Sequence, residues 1–204
     1  MGALTYRQSA TAARAVESFD ELETARLRLR MFAPGDAFEF SSITRDPEVM
    51  RFIGEGGPIS QEETAANLRK IVNAFRRRGF GRWAVVHKET NRLVGYCGFS
   101  AGVTTPGVEL AYLLARPFWG RGLATEAARA CLRYAFEELK LPSVSAITRP
   151  GNLRSRRVME HLGMKFLREE VYLSYDCVHY AVERDEFRPD DSTYVLHRSR
   201  AASE

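Results

Sequence analysis

Cysteine is scarce in this chain: Cys97, Cys131 and Cys177 are the three in 204 residues. An odd number at wide spacing excludes a disulfide framework, and no two lie at the spacing of a zinc site. Each falls inside an apolar segment, so buried free thiols are expected. Long apolar runs are absent too. No stretch of about 18 apolar residues occurs, so no membrane span or membrane partner is expected. Residues Met1–Asp20 lack the apolar centre of a secretory signal, and Tyr6 breaks the myristoylation pattern. Their Ala and Arg content leaves a transit peptide open, while the whole points to a cytoplasmic protein. A large charge of one sign is also missing. The surplus of basic residues is 30 − 26 = 4, which suits a polyanionic small ligand but equally an ordinary surface, and suggests no nucleic-acid partner.

What is present is core-forming material. Hydrophobic residues make up 45% of the chain, with 12 Phe and 8 Tyr, enough for one packed domain. Residues 1–24 read as a polar N-terminal tail, 25–187 as the domain and 188–204 as a C-terminal tail. Arg26-Leu27-Arg28-Leu29-Arg30-Met31 alternates basic and apolar residues, the period of a half-buried strand. Pro34 and Asp36 start a helix, and Pro47 starts a short second one. Ser60-x-x-Glu63 is a capping box for a helix over about 61–78, stopped by Gly79 and Gly81. Strands follow at 82–87 and 93–99, joined at Glu89-Thr90-Asn91, and a third at 108–114 after Pro106-Gly107. Apolar residues at 124, 127, 128, 131, 132, 135 and 139 mark a helix. A strand at 143–148, a helix at about 152–162 ended by Gly163, and strands at about 165–173 and 176–183 complete the domain.

The chain is organised around Trp119-Gly120-Arg121-Gly122-Leu123-Ala124-Thr125-Glu126. A strand leads into it and a helix leads out. Two closely spaced glycines permit a tight turn and close approach of a ligand. The helix start offers free N–H groups and a positive dipole end to an anion. A P-loop would need GxxxxGK with Ser or Thr next, yet no Lys lies between Lys88 and Lys140. A dinucleotide fingerprint would need a third Gly where Thr125 stands and an acid at the end of the next strand, where Arg149 stands.

The stretch resembles the acyl-CoA pyrophosphate loop of the GNAT N-acetyltransferases, [Gln/Arg]-x-x-Gly-x-[Gly/Ala]. Gly122 and Ala124 fit, and Trp119 departs toward the Trp-Gly-x-Gly form of the ribosomal-protein (alanine) N-acetyltransferase branch. Two further pieces support the likeness in order and spacing: the opening Arg26–Arg30 strand, and Asn152-Leu153-Arg154-Ser155 followed by Leu162-Gly163-Met164. The resemblance implies the α/β GNAT fold, a mixed sheet in the order β-α-α-β-β-β-α-β-α-β-β, holding acyl-CoA between its fourth and fifth strands.

It also implies roles. The backbone of Trp119, Gly120, Arg121, Gly122, Leu123, Ala124 and Thr125 would hold the pyrophosphate of acetyl-CoA, the acyl donor. Leu113 and Leu114 would pair main chain with the pantetheine arm. Asn152 would contact the pantetheine, although Asn also simply caps a helix. Ser155 would touch the cofactor and protonate the leaving thiolate, since Met159 stands where other branches place a Tyr. Glu109 would take the proton of the amine, with Tyr112 on the opposite face of the strand. Arg121, Arg154, Arg156 and Arg157 are candidates for CoA phosphates. Residues 52–58 and the 172–175 turn would line the acceptor site. The acceptor is a primary amine, a protein N-terminus or a small molecule, acetylated directly in a ternary complex; a homodimer stays open. The rival reading is a catalytically inactive acyl-CoA-binding regulatory module, and a nucleotide-binding protein is a third.

Overall fold

A computed structural model describes residues 19–102 and 107–198. Pro106 and the outermost parts of both expected tails lie outside them. The described strands form one sheet in the order β7-β8-β6-β5-β4-β3-β2-β1-β9. In chain order these are β1 (Glu21–Glu23), β2 (Leu27–Arg30), β3 (Arg82–His87), β4 (Arg92–Ala101), β5 (Val108–Leu114), β6 (Ser143–Thr148), β7 (Lys165–Tyr172), β8 (Tyr175–Glu183) and β9 (Val195–His197). All neighbours run antiparallel except β5 and β6, which run parallel.

Local chemistry sets the helices. α1 (Asp36–Thr44) starts at a carboxylate that is buried, takes both terminal nitrogens of Arg30 at 2.7 and 2.8 Å, and accepts from the Ala33 N–H at 2.7 Å. This charge-assisted fork ties the helix to β2. α2 (Pro47–Met50) has Pro at its first position and Asp46 as cap. α3 (Gln61–Arg78) carries the expected capping box, Ser60 Oγ with the Glu63 N–H at 3.1 Å and Glu63 Oε2 with the Ser60 N–H at 2.8 Å. Gly79 ends it in the left-handed conformation, φ 78°. α4 (Leu123–Arg133) continues through a π-helical turn at Tyr134–Glu138, so the expected long helix changes its hydrogen-bond step before Leu139. α5 is Leu153–His161.

Each face of the sheet buries a cluster of apolar side chains. On one face Trp83 sits at the centre, in edge-to-face contact with Phe75 and Tyr134, and α4 covers it with Leu123, Ala127, Cys131 and Leu132. On the other, Phe32, Phe40, Leu68, Tyr96 and Leu113 pack beneath α1 and α3. All three cysteines are buried free thiols, as expected, and Cys97 and Cys131 meet with their sulfurs 3.6 Å apart.

The expected domain limits were too narrow. Glu21–Glu23, placed in the N-terminal tail, pairs with β2 and with Val195–His197, placed in the C-terminal tail. Three-residue strands carry too little alternation to show in sequence, and only their pairing holds them. The strand order is otherwise the expected one, with these two strands added at one edge.

Candidate functional site

β5 and β6 are registered at one pair, Glu109 with Ser145. Beyond it the parallel ladder stops, and β5 runs on through Leu110–Leu114 paired with β4 alone. The Ala115 N–H donates to the Val94 carbonyl at 2.8 Å. By antiparallel alternation, Leu113 then also turns its main-chain groups to β4, while those of Tyr112 and Leu114 turn to the open side. Of the two strand residues expected to pair with pantetheine, only Leu114 faces the opening. Its carbonyl already accepts from the Trp119 indole at 2.6 Å. That bond gives Trp119 a physical reason to stand where the common pattern has Gln or Arg: it ties the loop back to the strand end.

The loop then turns twice through left-handed glycines, Gly120 at φ 70° and Gly122 at φ 74°. No L side chain adopts such angles cheaply. A Cβ on Gly120 would meet nothing within 4 Å, so the turn opens outward. Gly122 is the cap of α4, and the N–H groups of Leu123, Ala124 and Thr125 have no acceptor within the helix. This is the turn at which the sequence reading expects an anion. Exposed Arg121 lies with its guanidinium 5.7 Å over the Phe118 ring, and Arg154 stacks 4.7 Å over Trp119. Arg156 is committed elsewhere, to the Tyr180 hydroxyl at 3.2 Å and the Pro150 carbonyl.

Two residues missed in sequence brace this loop. Glu126, in the first turn of α4, accepts from the Thr24 hydroxyl at 2.6 Å, the Arg26 N–H at 2.9 Å and Arg26 Nε at 2.6 Å. Arg26 also donates to the Arg121 carbonyl at 2.9 Å. The β1–β2 turn thus grips both sides of Gly122. No local pattern announces a pair a hundred residues apart.

On the open side of β5, the Tyr112 hydroxyl lies 2.9 Å from Ser155 Oγ and 3.0 Å from the Ser155 carbonyl. Burial pushes the Tyr112 phenol well above its usual range, partly offset by the serine bond. Asn152 caps α5 as expected, accepting from the Ser155 N–H at 3.3 Å, and its amide donates to Thr148 Oγ1 at 3.0 Å. Both ends of that side chain are used within the protein.

Glu109 is buried, 8% exposed, beside the last β5–β6 rung. Strand alternation puts it on the face of Ala111 and Leu113, opposite Tyr112. That face holds a cavity of about 270 Å³ whose wall includes Phe40, Met50, Ile53, Ile71, Tyr96 and Leu113. Glu109 is not in its lining; it lies four residues before Leu113, roughly 13 Å along the strand. Residues 52–58 and the 172–175 turn do come together. The Tyr175 hydroxyl reaches the Glu55 carbonyl at 3.3 Å, and Arg149 stacks 3.6 Å over Tyr175 while donating to the Gly54 carbonyl.

Two parallel strands thus part near a helix start, and a cavity lies on the other face. Residues 26–165 match the family model described as Acetyltransferase (GNAT) domain. The chain belongs to this family of acetyltransferases. It is 32% identical over 176 residues to the FsC-acetyl coenzyme A-N(2)-transacetylase of Aspergillus fumigatus, covering 82% of this chain and 74% of that protein. The crystal structure of an acetyltransferase (GNAT family) from Bacillus anthracis superposes with a TM-score of 0.72 at 28% identity, over 81% of this chain and 99% of that one. The ribosomal-protein-S5-alanine acetyltransferase of Vibrio fischeri shares the fold, with a TM-score of 0.68 at 18% identity over 83% of this chain and 99% of that one.

Proposed function

We propose that this acetyltransferase moves an acetyl group from acetyl-CoA to a primary amine by direct attack in a ternary complex. The observation that carries the reading is the loop from Trp119 to Gly122, with two left-handed glycines opening α4 beside a strand that has lost its parallel neighbour. Acetyl-CoA supplies an activated carbonyl and a thiolate leaving group. The free N–H groups at the start of α4 suit its pyrophosphate, and Arg121 and Arg154 suit its phosphates. The outward N–H groups of Tyr112 and Leu114 suit the pantetheine arm and the developing oxyanion. Glu109 takes the proton of the amine through water, since it stands too far along β5 to touch the cavity. Ser155, held by Tyr112, returns a proton to the thiolate. No covalent acyl-enzyme is needed, and the three buried thiols are poor candidates for one.

The test has two parts. Calorimetry with CoA against ATP and NADP reads the ligand class, and a screen of amines with acetyl-CoA and mass detection reads the reaction. Binding of CoA alone together with acetylated amine supports the reading. Preference for ATP or NADP overturns it.

A further inference from the structure

The cavity beneath α1 and α3 holds two basic side chains that its apolar wall does not explain. Lys70 and Asn67, one turn apart on α3 and both exposed, line its helix side, and Arg82 of β3 lines the sheet side. Arg82 is half-buried, its guanidinium 5.2 Å over the Tyr96 ring. Among the described residues, neither base has a carboxylate within ion-pair distance, and the cavity wall itself holds no acid. A guanidinium drawn in from water at the wall of an apolar cavity calls for an anion in that cavity.

The sheet shows where the anion would sit. Arg82 stands on the same rung as Gly98 of β4 and Ala111 of β5. At about 4.8 Å between strands, its backbone lies roughly 10 Å from β5. Gly98, on the strand between, has no side chain, and Ala111 on β5 has a single methyl, so no large side chain stands on this rung between Arg82 and β5. Leu113, on the next rung, closes the cavity toward β5. The reach of an arginine side chain uses much of those 10 Å. A molecule with its amine at β5 would present its anion to Arg82 a few bonds away.

We infer that the acceptor is a small amine carrying a carboxylate close to the amino group, a free amino acid of apolar side chain, and not a protein N-terminus. Arg82 takes the carboxylate as a fork and Lys70 adds a second positive charge. The wall of Phe40, Met50, Ile53, Ile71 and Leu113 takes the side chain. A cavity of about 270 Å³ is of the right order for one such molecule. This specifies the acceptor and rests on the amine-acetylation reading above.

The experiment compares apolar L-amino acids with their carboxamides as acceptors. The amide keeps the amine and side chain and mimics a peptide N-terminus. Its amine also deprotonates more easily, so a preference for the acid cannot come from amine basicity. The acids should exceed the amides at least tenfold in kcat/KM. Arg82→Gln and Lys70→Gln should each lower kcat/KM for the acids tenfold or more, and leave the amides and the KM for acetyl-CoA unchanged. Amides equal to or better than acids would overturn the inference, as would variants that affect both alike. If acetyl-CoA binds by calorimetry but neither series is acetylated, the inference fails and the donor reading stands. If acetyl-CoA does not bind, both fail.

Discussion

The Tyr112 hydroxyl and Ser155 Oγ meet at 2.9 Å across the opening between β5 and α5. Strand and helix approach each other from opposite sides of the parted sheet, and this bond is where they join. A serine at this place would otherwise be free to rotate. The phenol limits where its proton can go, and because burial keeps the phenol protonated, it remains a donor across the working pH range.

Tyr112→Phe therefore removes a positioning contact and leaves the ring. One neutral hydrogen bond is worth about 0.5–1.5 kcal/mol, or roughly two- to tenfold in rate. The expected result is a fall in kcat of that size with little change in KM for acetyl-CoA. In a double-mutant cycle, Ser155→Ala should then cost less in the Phe background than alone. Additive effects would show that the two residues act separately.

The brace under the loop gives a second expectation. Glu126 joins Thr24, Arg26 and the start of α4. Glu126→Gln keeps the shape but gives up the ion pair with Arg26, whose side chain also holds the Arg121 carbonyl. The KM for acetyl-CoA should rise several-fold with kcat nearly unchanged. Because Arg26 is half exposed, the thermal midpoint should move little. An unchanged KM would mean that the loop holds its form without the brace.

Gly122→Pro tests the cradle itself. Proline cannot adopt φ 74°, and it removes an amide donor. Acetyl-CoA affinity should drop at least tenfold, about 1.4 kcal/mol. Circular dichroism checks that the mutant folds, and Gly122→Ala serves as the milder version, strained at φ but keeping its N–H. Full affinity in both variants would move the donor site elsewhere.

Alkaline stability follows from three tyrosines. Burial is the largest cause raising Tyr112, Tyr134 and Tyr194 above the ordinary phenol range. In the unfolded chain they ionise near pH 10. Above that pH the unfolded state binds fewer protons than the native state, so stability falls as pH rises. Their contribution is fully present below about pH 10 and is lost above it. Urea midpoints should begin to decline near pH 8–9, where the thiols of Cys131 and Cys177, also raised by burial, ionise in the unfolded chain, and fall more steeply above about pH 10 as the tyrosines do. Tyr134→Phe should lower the slope by about one proton, or about 1.4 kcal/mol per pH unit.

How much of this was legible in sequence depends on range. The Ser60–Glu63 box, the Pro47 start, the Gly79 stop and the glycines of the loop act within a few residues, and each was found where the pattern put it. The alternation of β5 also holds, with Leu110, Tyr112 and Leu114 packed in one cluster and Ala111 and Leu113 in the other. What escaped was long-range. Arg26 reaches Glu126 across the sheet edge, and Tyr112 reaches Ser155 across the opening. β1 and β9 are too short to show a period and exist through each other. Arg82 read as the first residue of a strand, and only the fold turns it into a cavity wall.

Glu109 carries the last prediction. An amine acceptor arrives mostly protonated, since a Lys-type amine has a pKa near 10.4 and an α-amine near 8. It must lose that proton before it can attack. Glu109 is buried beside the last shared rung of β5 and β6, on the face of the strand that carries Leu113 into the cavity. Glu109 is not part of the cavity wall, so water joins carboxylate and amine and the side chain serves as the end of a short proton path. Glu109→Gln keeps the volume and the hydrogen-bonding oxygen but removes the proton acceptor. Loss of a general base typically costs about 10²–10⁴ in rate. The deficit should shrink as pH rises, because the amine then deprotonates unaided. The measurement is kcat/KM for the acceptor against pH in both proteins. Curves that converge above the pKa of the amine assign the proton path to Glu109. A mutant with near-normal rate and the same profile would pass the role to ordered water held by backbone carbonyls at the opening.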